Sequence, residues 1–345
     1  MIRSIRTIAA GAALAYGVTA HAQEPIDMKI AVWIGDQHPV GQWIARWSEQ
    51  LQKDLGGRVK VRRFPASQMG PAPQHYDLAR TGQADLAYFS HGLTPGRFPL
   101  TELVNLPYMV GSGEIGTKVL NEPELRTKYL DAEHKGTKVL WFMTHQPGGL
   151  HTAKRPVRSL EDMKGLRIRF PSTPIRDLLR AMGATPVGVP PTEVSEQIQK
   201  GVIDGAMTDY GGAALALQLA GIVKYTTELY VYVTSFGFTM NEAYWAKLPP
   251  DIQKYILDTT SGREKEIGSL LDDLDPIGKK MLLDQGGRAE ALPAAEDAKV
   301  RKIAAEVSQQ LIKDLDAKKL PATEVVALMR TYSEKHAKTS RNFLK

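Results

Sequence analysis

The chain has no cysteine among its 345 residues. That excludes disulfides, thiolate zinc or iron–sulfur sites, a cysteine nucleophile and a lipid-modified N-terminal cysteine. Beyond the first twenty or so residues it has no apolar run of the ~20 residues that a spanning helix needs. It also has little excess charge of either sign. The 44 basic and 38 acidic residues leave a formal +6, mixed along the chain, without the concentrated basic face that nucleic acid requires.

What is present is an ordinary globular composition, 43% apolar and 24% charged, which argues against disorder and is long enough for two domains with real cores. The first 22 residues differ from the rest. Arg3 and Arg6 precede an apolar stretch, Thr7 to Val18, that ends in Ala20-His21-Ala22. This is the pattern of a secretory leader, and cleavage is expected after Ala22. Setting Arg3 and Arg6 aside leaves a mature chain of about +4. The expectation is an exported, periplasmic protein that folds without disulfides.

Strands and helices alternate along the mature chain. Met28 to Ile34 reads as a strand. Val40, Trp43, Ile44, Trp47, Leu51 and Leu55 then fall at helical spacing, between Pro39 and the pair Gly56-Gly57. Val59 to Phe64 alternates apolar and basic residues and predicts a strand with one solvated face, which accounts for the basic run Arg58 to Arg63 better than a phosphate patch does. Further strands are expected at Lys138 to Thr144 and Leu166 to Phe170.

One local pattern occurs twice. A helix over Tyr76 to Thr81 leads to Gly82, Asp85 and an apolar strand. A helix over Glu193 to Lys200 leads to Gly201, Asp204 and the strand from Ala206. Glycine at the position after a helix closes it in the left-handed conformation. The two units, about 120 residues apart, predict two similar α/β lobes. The β-rich run Tyr230 to Met240 suits a strand crossing between them. Pro250 to Leu283 is helical in pattern, and Pro276 predicts a kink or break in it. The segment from Ala295 onward reads as a charged, peripheral helix.

Catalytic and cofactor signatures are few. Gly111-Ser112-Gly113-Glu114-Ile115-Gly116 matches a dinucleotide fingerprint by letters, but Leu106-Pro107-Tyr108 precedes it where a central strand is required. A glycine turn before a helix is the better reading. There is no Gly-x-Ser-x-Gly elbow, no His-Glu-x-x-His and no carboxylate pair suited to glycoside chemistry. His145 and His151 lack an ordered metal-ligand pattern. No cofactor and no metal are called for, and the weight moves from an enzyme to a binding protein.

The most informative stretch is Met163-Lys164-Gly165-Leu166-Arg167-Ile168-Arg169-Phe170-Pro171. Alternation puts Arg167 and Arg169 on one face of a short strand that ends at a proline. An arginine fork placed there can hold a carboxylate through two parallel bonds.

With this segment the chain resembles the solute-binding proteins of tripartite ATP-independent periplasmic (TRAP) transporters, the DctP-like family. The resemblance runs over nearly the whole mature chain, through Ser67-Gln68-Met69-Gly70, Gly82 to Asp85, Leu106-Pro107-Tyr108, Ser159 to Pro171, Pro190 to Gly205 and Asn241 to Asp251. It implies a periplasmic binding protein-like α/β fold: two similar lobes joined by crossing strands and a long spanning helix, closing on a ligand in the cleft. The expected bounds are 23–146 with 235–277 for lobe I, and 147–234 with 278–345 for lobe II. The family pattern places the carboxylate-binding arginine at Arg169.

Departures from the sialic-acid branch of that family suggest a different ligand. Gly149 stands where that branch has a second arginine, Thr208 where it has asparagine, Ser90 in place of an acidic residue and Trp33 in place of asparagine. With Phe89, Tyr210 and Phe236 as further candidate lining, a polar sugar-acid pocket becomes an apolar one. Asp209 is expected to repel a second carboxylate or to accept a hydroxyl or amine proton. The reading is capture of a small or aromatic monocarboxylate, a hydroxy or keto acid included, by a monomer, for delivery to a small and a large membrane subunit. Two alternatives are a binding component of a sensor or ATP-driven importer, and an exported enzyme using Asp209 with His145 or His151.

Overall fold

The computed structural model describes residues 24–344. The expected leader and its cleavage site lie outside those residues. Eleven strands form two sheets among the described residues. They are β1 (Ile26–Val32), β2 (Val59–Phe64), β3 (Leu86–Ser90), β4 (Thr137–Thr144), β5 (Gly148–Thr152), β6 (Arg167–Arg169), β7 (Thr185–Val187), β8 (Gly205–Thr208), β9 (Tyr225–Tyr232), β10 (Ser235–Asn241) and β11 (Arg288–Ala291). The principal helices are α1 (Pro39–Asp54), α2 (His75–Arg80), α3 (Gly113–Leu120), α4 (Thr173–Ala181), α5 (Val194–Gln199), α6 (Pro250–Thr260), α7 (Glu264–Asp284), α8 (Ala294–Ala317) and α9 (Ala322–His336). No described helix is long and apolar enough to cross a membrane.

The repeated pattern reports a repeated architecture. In the first sheet β1 lies between β2 and β3, parallel to both. In the second, β6 lies between β7 and β8, again parallel to both. Gly82 and Gly201 end α2 and α5 with φ of 75° and 69°, a conformation that favours glycine. The aspartate that follows does the same work in each lobe. Asp85 accepts the Lys29 N–H at 2.7 Å and returns its own N–H to the Lys29 carbonyl at 2.9 Å. Asp204 accepts the Arg167 N–H at 2.8 Å and returns its N–H to the Arg167 carbonyl at 2.8 Å. The surroundings differ: burial raises the pKa of Asp85, whereas the hydrogen bond from the Arg167 guanidinium lowers that of Asp204.

The lobes exchange strands. β10 pairs antiparallel with β3, and β5 pairs antiparallel with β8. The chain therefore crosses from β4 to β5 through 145–147, and returns from β9 to β10 through 233–234. The run expected as one crossing strand, Tyr230 to Met240, is thus two strands, one in each sheet. The crossings are tied together. Thr234 N–H donates to His145 Nε2 at 3.0 Å, and His145 N–H donates to the Thr234 carbonyl at 3.4 Å.

Apolar periodicity places the cores. α1 buries Val40, Trp43, Ile44, Trp47 and Leu51 against the first sheet, and the Trp47 ring meets Phe238 edge-on at 5.6 Å. Arg58, Arg62 and Arg63 pair with Asp251, Asp27 and Asp36, so the basic run is ion-paired.

Two expectations about the later chain are corrected. The helical stretch from Pro250 breaks at Gly262 (φ 72°), between α6 and α7. It is continuous through Pro276, because the Asp272 carbonyl that Pro276 leaves without a helical donor accepts from Arg341 Nη1 at 3.2 Å. The last helix, α9, packs Val325, Val326 and Met329 with Leu103, Val119 and Phe142. These belong to the first lobe, so the expected assignment of 278–345 as one block of lobe II does not hold for α9.

The fingerprint-like glycines serve packing. Asp272 of α7 accepts the N–H groups of Gly113 and Glu114 at 2.7 and 3.0 Å, occupying the N-terminus of α3. A Cβ at Gly113 would meet the Gly268 and Thr144 carbonyl oxygens at 2.8 and 2.9 Å. The glycine turn before a helix is what the structure contains.

Candidate functional site

Parallel strands deliver their carboxyl ends to one edge of a sheet, where ligands of open α/β folds bind. Here both lobes present such an edge to a shared cavity. β1 contributes Trp33 just past its end, β3 contributes Tyr88 and Ser90, β6 contributes Arg169, and β8 contributes Thr208 with Asp209 after it. β10 adds Phe236, the crossings add His145 and Thr234, and α7 adds Leu271.

Arg169 is 5% exposed. Its Nε donates a long bond, 3.3 Å, to the Val189 carbonyl. Among the described residues no carboxylate pairs with it and its terminal nitrogens have no hydrogen-bond partner. Burial pushes its pKa down from 12.5 to about 10. Arg167, two residues earlier, is spent structurally, donating to both Asp204 oxygens and to the Gly201 carbonyl. Alternation put both arginines on one face; strand position separates their roles.

The wall beside Arg169 is aromatic. Trp33 and Tyr88 lie nearly parallel with centroids 6.0 Å apart, and Phe236 lies 6.4 and 5.7 Å from them, tilted by 25° and 21°. At another part of the cavity Asp209 is held by its Oδ2, which accepts from Gln146 Nε2 at 2.9 Å and Gly212 N–H at 2.8 Å. Its Oδ1 receives one long contact, from Thr208 Oγ1 at 3.3 Å, and stands 3.8 Å from His145 Nδ1. Gln146 also donates to Asp275 Oδ1 at 2.5 Å, and burial together with the Asp209 charge raises the Asp275 pKa to about 7. His38 lines the cavity too; burial lowers its pKa to about 4, so it stays neutral, and its Nδ1 accepts the Val40 N–H at the start of α1.

Of the residues named from the sequence, Arg169, Trp33, Ser90, Thr208, Asp209 and Phe236 come together here. Three do not. Phe89 points to the other side of β3, into a cluster with Tyr76 and Phe98. Gly149 sits within the second sheet, where a Cβ would meet the Thr227 carbonyl oxygen at 2.6 Å, so an arginine does not fit that backbone. Tyr210 packs under the second lobe, donating its hydroxyl to Glu228 at 2.9 Å. His151 is buried between Thr226 Oγ1 and the Thr208 carbonyl, apart from the cavity. Tyr88, His38 and Leu271 were missed, and His145, named only as a possible partner of Asp209 in an enzyme, lines the cavity as well. The signal for Tyr88 was available: Ser90 on the cleft face of a strand requires position 88 on that face and position 89 on the other.

Comparison with known proteins agrees with this architecture. The family model for bacterial extracellular solute-binding protein, family 7 (DctP), matches residues 30–314. A solute-binding protein of Verminephrobacter eiseniae is 26% identical over 289 residues, covering 82% of this chain and 85% of that one. A TRAP solute-binding protein from Rhodoferax ferrireducens, solved with copurified benzoate, is 27% identical, with a TM-score of 0.86 over 92% of this chain and all of that one. A marine-metagenome TRAP solute-binding protein specific for aromatic acids, solved with 3-hydroxybenzoate, is 29% identical, with a TM-score of 0.84 over 90% and 98% of the two chains. Proteins of this family bind solutes outside the cytoplasmic membrane and perform no chemistry on them. With two strand-exchanged lobes and a family match that runs from residue 30 to residue 314, this chain belongs to the DctP family of TRAP solute-binding proteins.

Proposed function

We propose that this protein captures an aromatic monocarboxylate in the interlobe cleft and presents it to TRAP membrane subunits. The observation that carries the reading is Arg169, a buried cation with no protein anion among the described residues, set beside the rings of Trp33, Tyr88 and Phe236. A carboxylate on the guanidinium restores what burial removes, and an aryl ring fits a near-parallel aromatic wall. The Rhodoferax protein's benzoate and the metagenome protein's 3-hydroxybenzoate support the same ligand class.

On this reading Trp33, Ser90, Thr208, Asp209 and Phe236 complete the site with Arg169, and lobe closure rotates the chain about the crossings at 145–147 and 233–234. The leader is removed after Ala22 and the mature protein works as a monomer in the periplasm. The lobes comprise 24–146 with 235–277, and 147–234 with 278–317, α9 joining the first.

The test is a thermal-shift screen of organic acids on the mature chain. Benzoate-type monocarboxylates are expected to raise the melting temperature. A hit list made only of dicarboxylates or sugar acids overturns the reading.

A further inference from the structure

Asp209 is the acidic member of the cleft lining, and the ligand reading above gives it no specific partner. It is 5% exposed. No lysine or arginine pairs with it among the described residues, and it forms no ion pair with Arg169 although both line one cavity. Its two oxygens differ. Oδ2 is filled by two donors, Gln146 Nε2 and the Gly212 N–H. Oδ1 has only the long Thr208 contact, while a carboxylate oxygen has room for two donors. Of the other polar side-chain atoms nearby, Trp33 Nε1 and Gln146 Oε1 have no hydrogen-bond partner among the described residues, and neither is a charged acceptor. His38 Nδ1 takes the Val40 N–H, and His145 holds the Gln146 carbonyl and the Thr234 N–H.

We infer that Asp209 Oδ1 is a specificity element that accepts a hydrogen bond from a ring hydroxyl of the ligand, so that the preferred ligands are hydroxyaryl monocarboxylates. The inference rests on the aromatic-carboxylate reading and deepens it. Arg169 takes the carboxylate, the aromatic wall takes the ring, and Asp209 takes a donor on the ring away from the carboxylate. A buried carboxylate discriminates strongly in this position. A hydroxyl donor satisfies it, whereas an ether or a second carboxylate leaves it desolvated and repelled. A hydrogen bond to a charged group corresponds to roughly 10- to 100-fold in affinity.

The fixed Oδ2 makes the variant Asp209→Asn informative. Two donors face that position, so the amide oxygen must occupy it, and the amide nitrogen takes the place of Oδ1. A donor then faces the cavity where an acceptor stood. Titration calorimetry on the mature protein would compare 3- and 4-hydroxybenzoate with their methyl ethers, benzoate and isophthalate. For the wild type, at least one hydroxybenzoate is expected to bind about 10-fold or more tighter than its methyl ether and than benzoate, with isophthalate excluded. In D209N the order of hydroxyl and ether is expected to invert, and isophthalate to gain. A purely structural Asp209 moves all ligands by one common factor. Equal wild-type affinity for hydroxyl, ether and unsubstituted acid overturns the inference and leaves the aromatic-carboxylate reading standing. Absence of binding by every acid in the series overturns both. The wild-type comparison needs no variant, so a D209N chain that fails to fold does not remove the test.

Discussion

Replacing Arg169 with methionine is expected to close the protein while emptying it of function. The guanidinium is 5% exposed, and the fall of its pKa from 12.5 to about 10 corresponds to about 3 kcal/mol against the charged form. Arginine stays charged at neutral pH, so that energy is a cost of shutting the cleft without an anion. It is expected to disfavour the shut cleft when no anion is bound. Methionine keeps much of the length and removes the charge. The long bond to the Val189 carbonyl is lost as well, an offset of about 1 kcal/mol. The net expectation is a ligand-free R169M chain whose closed state is favoured by about 2 kcal/mol relative to the wild type, and whose affinity for carboxylates falls 10- to 1000-fold. Small-angle scattering reads the first effect as a smaller radius of gyration without ligand, matching the wild type with benzoate. Thermal shift reads the second as a melting temperature that no longer responds to benzoate. A ligand-free variant as expanded as the wild type and destabilised by the 2–5 kcal/mol of an ordinary core truncation would refute the reasoning, and so would retained benzoate stabilisation.

Two further outcomes concern parts of the molecule outside the cavity. Glu102 is buried where the lobes meet, accepting only a 3.4 Å bond from the Thr173 N–H at the start of α4, and burial raises its pKa from 4.5 to about 7. The folded state therefore binds the proton more tightly than the unfolded chain. The resulting stability, up to about 3 kcal/mol, is present below pH 4.5 and is lost as pH rises through 7; E102Q should flatten that part of a melting-temperature profile, and an unchanged slope counts against it. Gly113→Ala, which drives a Cβ onto the Gly268 and Thr144 carbonyls, should cost about 1–3 kcal/mol in urea denaturation, and a wild-type midpoint would show that the approach of α3 to α7 is looser than described.

Features governed by local chemistry were legible in the sequence, and features governed by competition between distant groups were not. The glycine–aspartate units and the α1 stripe depend on backbone conformation and periodicity, and both appear where the pattern put them. Pro276 was expected to kink or break its helix, and the break does not occur there. Part of the proline's cost is the carbonyl it leaves without a donor, and Arg341, 69 residues beyond that carbonyl, supplies one. Gly262, not singled out, carries the break. The strand from Tyr230 to Met240 is continuous in composition, and only membership of two different sheets divides it. In the cleft, the charged and small residues at strand ends were found because chemistry marks them. Aromatics were half right, because Phe89 and Tyr88 carry the same composition signal and differ only in which side of β3 they take. Tyr210 follows Asp209 directly, but the chain turns there and carries its ring under the second lobe.

The strand-end construction of the cleft has a consequence for how such a protein changes its ligand. The cores are built from the middles of the strands and from the helices, while Trp33, Ser90, Arg169 and Asp209 stand at or beyond the strand termini. The polar side chains that choose the cargo are thus separate from the apolar core, whereas the rings of Trp33, Tyr88 and Phe236 belong to both. Exchanging a handful of positions can retune selectivity while the apolar layers underneath remain as they are. The same scaffold is therefore a modular reader, in which the guanidinium fixes the charge class and the neighbouring termini can be rewritten one at a time.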